Sequence, residues 1–206
     1  MEGDKENLKG EIIDIIHCPG HSGPLANITY ENGEKILVQA PDGIKAGDSV
    51  FIGDSVPADI GNITQLKNIP EGAAIYNVES IPGDGGKFAR TAGASAKIIA
   101  KMKDKVVVQL PSKKERSFLP ECRASMGIVA GSGKVEKPFL KAGNKFYAMR
   151  AKNKLWPIVC GQSMNAVAHP HGGSRSSKKN YYYTVSRNAP PGAKVGSIAA
   201  RRTGRK

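Results

Sequence analysis

From Arg150 to the C-terminus the chain contains no aspartate or glutamate, although it carries twelve lysines and arginines there. Residues 87–149 hold fourteen basic residues against four acids, and residues 1–86 reverse the balance with five against fourteen. A uniformly solvated surface does not sort its charges along the sequence in this way. With an overall formal charge of +13, the basic end calls for a polyanionic partner, most often nucleic acid and less often an anionic membrane. Cysteine is scarce as well. Cys18, Cys122 and Cys160 are far apart and form no CxxC pair, which excludes a disulfide framework and a paired-cysteine zinc site and leaves reduced thiols of a cytosolic protein. No apolar run approaches the roughly 18 residues of a membrane span. The acidic start, Met1 to Asn7, lacks the apolar region of a signal peptide, so none is expected.

What the chain does have is turn chemistry, with 24 glycines and 13 prolines. Strand-like runs at Leu8–Ile16, Leu25–Tyr30 and Lys35–Ala40 flank the turns Cys18-Pro19-Gly20-His21 and Asn32-Gly33, the latter suited to a tight hairpin. Shorter runs at Asp48–Ile52 and Ile60–Ile63 continue the rhythm to Glu71, which predicts a small barrel over residues 1–71. A second set, Ala74–Glu79, Ala96–Ala100, Lys105–Leu110, Glu115–Leu119 and Arg123–Ala130, predicts a barrel of SH3-like size over 72–148. A short helix is expected over Ala142–Lys152. Residues 149–206 then read as an extended basic tail, poorly ordered until it meets RNA.

Two glycine loops invite a nucleotide-binding reading and fail it. Pro82–Gly86 lacks the G-x-G-x-x-G spacing, and Gly127–Lys134 is one residue too long for a P-loop, with Val135 where Ser or Thr would ligate Mg²⁺. His17, Cys18 and His21 are ligand types at a spacing that matches no common metal site, and they are read as a turn.

The uncharged stretch Trp156–Gly173, W-P-I-V-C-G-Q-S-M-N-A-V-A-H-P-H-G-G, follows neither helical nor strand periodicity. Its His169 and His171 are open to three readings: packed loop histidines, catalysts or metal ligands, and RNA contacts. Catalysis needs a carboxylate or nucleophile to orient the ring, and none lies near in sequence. RNA contact is preferred, because Gly172 and Gly173 let the backbone lie flush against a ligand while Trp156 and Tyr181–Tyr183 offer stacking faces. The chain is therefore expected to be no enzyme. A free RNA chaperone outside a larger particle, and a histidine-dependent nuclease, are the rival classes.

Met164–Gly173, together with Ile75–Glu79, Pro82–Gly86, Arg90–Gly93 and Cys122–Gly127, resembles the signature of the large-subunit ribosomal protein "L-two" family. Val185–Gly192 and Gly196–Arg205 are similar to its archaeal and eukaryotic branch. The resemblance implies an oligonucleotide-binding-type (OB-like) barrel, an SH3-like barrel and an extension reaching toward the peptidyl transferase centre. It implies large-subunit rRNA and other large-subunit proteins as partners, the small subunit and tRNA indirectly, and a cytoplasmic ribosomal location. It also implies support for subunit association, tRNA binding and formation of that centre. No cofactor is expected beyond Mg²⁺ accompanying rRNA. The RNA-binding residues it implies are Arg90, Arg123, Trp156, Met164, Asn165, His169, His171, Gly172, Gly173, Arg175, Arg187, Arg201, Arg202 and Arg205. His169 matches the histidine most tied to peptidyl transfer. Departures are His21 and Cys160, where the family has arginine, residues 174–184, and a longer basic N-terminal arm usual in the family.

Overall fold

A computed structural model of the chain describes residues 7–134, 136–173 and 184–200. Two compact units make up the chain, Met1–Asn153 and Lys154–Lys206.

Alternating apolar residues build the first unit. Its first strands are β1 (Leu8–Ile16), β2 (Leu25–Tyr30), β3 (Lys35–Gln39), β4 (Ser49–Ile52) and β5 (Ile63–Gln65). Its second set is β6 (Ala74–Tyr76), β7 (Val78–Glu79), β8 (Gly86–Phe88), β9 (Ala96–Lys101), β10 (Val106–Gln109), β11 (Glu115–Phe118) and β12 (Arg123–Met126). Ten of these share one sheet in the order β11-β10-β9-β6-β12-β5-β4-β1-β2-β3, antiparallel except at the β4–β5 pair. The fold is mainly β, with the strand sets of an OB-like barrel and then an SH3-like barrel. Each set has its own core. Ile12, Ala26, Ile28, Tyr30, Ala40 and Val50 pack in the first, and Ile75, Ile98, Val106, Val108 and Phe118 lie among the larger cluster of the second. Each fully buried Ile or Val contributes about 1.5–3 kcal/mol by leaving water.

The hairpin at Asn32-Gly33 forms as its sequence dictates. Gly33 takes φ +82°, and Asn32 Oδ1 accepts the Glu34 N–H at 3.0 Å. Other bounds differ. The run Ala74–Glu79, expected as one strand, breaks at Asn77, whose φ of 52° turns the chain so that its N–H reaches Ala89 O at 3.1 Å. The second half, β7, pairs with β8, a strand hidden at the end of the glycine loop.

Residues 127–131 tie the two strand sets together. Asp42 N–H donates to Ile128 O at 2.8 Å and Ala130 N–H to Ala40 O at 2.9 Å, while Gly93 N–H donates to Val129 O at 2.9 Å. Buried Tyr76 adds a side-chain tie, its hydroxyl donating to Gln39 O at 3.2 Å. Burial pushes the Tyr76 phenol well above the usual tyrosine range. Beyond the sheet, α1 (Ala142–Ala151) occupies the expected place and buries none of its residues.

In the second unit, β13 (Thr184–Val185) and β14 (Ser197–Ile198) form a two-residue parallel pair that no alternation announced. Val185 is the one buried apolar side chain there among the described residues.

Candidate nucleic-acid interface

The uncharged stretch closes on itself by hydrogen bonds rather than by a core. A 3-10 turn, Gly161–Ser163, leads into a loop in which the N–H groups of Ala168 and His169 both donate to Asn165 O, at 3.0 and 3.2 Å. Gly172 N–H returns to His169 O at 2.8 Å, and Gly173 N–H to Met164 O at 3.2 Å. The glycines are required sterically. A Cβ on Gly172 would run into the Met164 and Asn165 backbone, and Gly173 sits at φ +105°. Six expected contact residues, Met164, Asn165, His169, His171, Gly172 and Gly173, thus come together in one loop.

His169 is half-buried and seated on Gly161, where a Cβ would collide with the imidazole. The His171 backbone N–H donates to His169 Nδ1 at 3.0 Å. A ring nitrogen that accepts carries no proton, so the neutral imidazole holds its hydrogen on Nε2 and can donate there to a phosphate or hydroxyl oxygen. The two imidazoles meet edge to face with centroids 5.1 Å apart. Gly161 is the contributor that sequence reasoning missed, since nothing in its spacing reveals a ring packed against it. At the loop tip Asn165, Ala166, Val167 and Ala168 are exposed, a small-residue surface suited to close approach.

Trp156 is half-buried in the same unit, and Arg187 is exposed just past β13. Arg175, Arg201, Arg202 and Arg205 lie outside the described residues. Arg90 and Arg123 belong to the first unit, Arg90 exposed after β8 and Arg123 half-buried at the start of β12. The backbone N–H of Arg123 is held by Glu79 Oε2 at 2.8 Å. That carboxylate oxygen also accepts Gly83 N–H at 3.2 Å, and Asp84 Oδ1 accepts Ser80 N–H at 3.2 Å. The loop at Pro82–Gly86 is therefore tied inward by acids, which suits a structural turn and repels phosphate. At the other glycine loop, Ser132–Lys134 makes a three-residue 3-10 turn and Lys134 Nζ donates to Ser22 O at 2.8 Å.

His21 Nδ1 lies 3.1 Å from Cys18 Sγ. Among the described residues, no three His, Cys, Asp or Glu side chains gather closely enough to hold a metal ion. Cys122 is buried, and burial pushes its thiol up toward the protonated, unreactive form. No helix among the described residues is long and apolar enough to cross a membrane.

Comparison with known families accounts for almost the whole chain. Residues 2–52 match the family model described as "Ribosomal Proteins L2, RNA binding N-terminal domain", and residues 59–194 match "Ribosomal Proteins L2, C-terminal domain". The chain belongs to the ribosomal protein L2 family. Similar L2 proteins, each named large ribosomal subunit protein uL2, come from archaea. That of Methanothermobacter thermautotrophicus is 50% identical over 200 residues, covering 97% of this chain and 83% of its own length. The Archaeoglobus fulgidus protein is 49% identical, covering 97% and 84%, and the Natronomonas pharaonis protein is 48% identical, covering 98% and 83%. The L2 C-terminal match includes the whole histidine loop and the β13 strand.

Proposed function

We propose that this protein is a structural constituent of the large ribosomal subunit in the cytoplasmic ribosome, where it binds large-subunit rRNA and takes no enzymatic role of its own. The observation that carries the reading is the match, over nearly the full chain, to proteins named as uL2 of that subunit. The division proposed is an OB-like barrel over 1–71, an SH3-like barrel over 72–148 and an rRNA-binding extension over 149–206. The acid-free run from Lys137 onward supports an RNA surface there. It includes α1, which buries no residue and exposes Phe146 and Tyr147 beside basic residues.

The histidine loop supports a role near the peptidyl transferase centre. His169 offers one donor, Nε2–H, from a loop whose exposed tip carries the small residues Ala166 and Ala168. The chemistry of peptide transfer belongs to RNA, and the loop's part is to hold that RNA in place. Partners proposed beyond rRNA are other large-subunit proteins and, indirectly, the small subunit and tRNA, through support of subunit association and tRNA binding. Mg²⁺ would accompany the rRNA.

Co-sedimentation tests the reading. The full chain should travel with large subunits through a high-salt gradient. Its release as free protein, or as an RNA complex outside the subunit, would favour a free RNA chaperone instead.

A further inference from the structure

We propose that the open edge of β3, with the outer face of β1 and β2 beside it, docks an extended lysine- or arginine-rich segment of another protein of the particle. This rests on the ribosomal reading above and names a surface and partner chemistry that the reading does not.

The edge is open by its place in the sheet, since among the described residues β3 ends the strand order and pairs with β2 alone. Its free backbone groups follow from the ladder. Tyr30 N–H donates to Glu34 O at 2.9 Å, and partners alternate in an antiparallel pair, so Ile36 and Val38 face β2. Lys35 and Leu37 then direct their N–H and C=O groups away from the sheet, and the open stretch ends at buried Gln39, whose C=O accepts the Tyr76 hydroxyl. Strands left in this state are usually blunted by charge, brevity or bulges. The opposite edge follows that rule: β11 is four residues long, with Glu115 and Arg116 exposed after Lys113 and Lys114. By contrast, β3 has Lys35 as its only charge and leaves Ile36 41% and Leu37 55% exposed. An added strand would satisfy the backbone and cover the apolar side chains together.

The sign of charge selects the partner. Register places Glu11, Thr29 and Lys35 in one row of the outer face and Asp14, Asn27 and Leu37 in the next, with the exposed Ile13 at the bulge between Ile12 and Asp14. Glu31 and Glu34 stand in the adjoining turn. Four acids against Lys9 and Lys35 make a poor seat for phosphate, although the strands of an OB-like barrel often serve oligonucleotides. An extended cationic polypeptide with alternate apolar residues complements the same surface.

A photo-crosslinking residue at Lys35, in full-length protein assembled into large subunits, tests the proposal. After nuclease digestion, the expected product is a protein adduct mapping to a Lys/Arg-rich extended segment. Leu37→Pro removes an N–H that points away from β2, so the ladder is spared while strand addition is blocked. It should reduce the adduct about tenfold or more without loss of co-sedimentation. The double variant Glu11→Lys, Asp14→Lys should weaken the same adduct while leaving the outward N–H and C=O groups of β3 untouched. An adduct to RNA, no adduct in subunits that contain the chain, or an adduct indifferent to both variants would overturn the inference alone. A chain that never sediments with large subunits would overturn the ribosomal reading and this inference with it.

Discussion

Ile98 in the first unit is 0% exposed and Val167 in the second is 101% exposed, though both are β-branched and apolar. The first unit carries its acids alongside a buried core, and the second has no acid and, among its described residues, one buried apolar side chain, Val185. One region is shaped by what it removes from water, the other by backbone hydrogen bonds and glycines that leave its surface available. The described residues accordingly find their stability in different places: in two buried cores up to Asn153, and in loop hydrogen bonds and a short strand pair beyond it.

Charge gives the largest expected effect. If the acid-free end contacts six to ten phosphates, rRNA affinity should fall by about 10³-fold or more between 50 and 200 mM salt. A chain ending at Asn153 should keep its cooperative unfolding and lose most of that slope; filter binding across a salt series, with calorimetry, reads both. A slope that survives the truncation would break the contrast. Next comes the core. Ile98→Ala should cost about 3 kcal/mol in denaturant unfolding, whereas Val167→Ala should change stability by less than about 0.5 kcal/mol. Removing the ring in His169→Ala should leave subunit assembly largely intact and slow peptide-bond formation by about tenfold, roughly the worth of one hydrogen bond to a charged group; single-turnover assays on purified subunits decide it.

The smallest effect is at Tyr76. Tyr76→Phe should cost about 1 kcal/mol through loss of the bond to Gln39 O. Burial favours the neutral phenol in the folded state, so the folded protein holds its proton at alkaline pH more firmly than the unfolded chain does. Stability from this group is fully present below pH 10, the ordinary tyrosine value, and declines as pH rises beyond it. Alkaline unfolding should therefore be less steep in the variant. Tyr30, raised in the same direction by burial, leaves a residual slope in both proteins.

Alternation made most of the first unit legible, because strands such as β2 and β10 bury alternate side chains and their turns need residues like Gly33. The split at Asn77 was not legible. A positive φ at an asparagine is a local choice that the pairing of β7 with β8 enforces, and two short strands beside a glycine loop look like loop. In the histidine loop, residue types pointed to the right segment, while its closed shape depends on Gly161 lying under a ring eight residues away in sequence. Close approach between backbone and ring leaves no periodic trace. The β13–β14 pair is equally silent, being two residues on each side.

The tie at residues 127–131 has a consequence for how the protein is made. Ala40 and Asp42 find their partners at Ala130 and Ile128, nearly ninety positions later. During synthesis the N-terminal strands emerge well before the segment that completes their hydrogen bonding. The segment Ala40–Asp42, just past β3, must wait with its bonds unmade while the middle of the chain is translated. Completion of the first unit is then a late, long-range step of the slow kind that non-local pairing imposes. The nascent chain is most vulnerable to wrong strand pairing in the interval before Ala130 arrives.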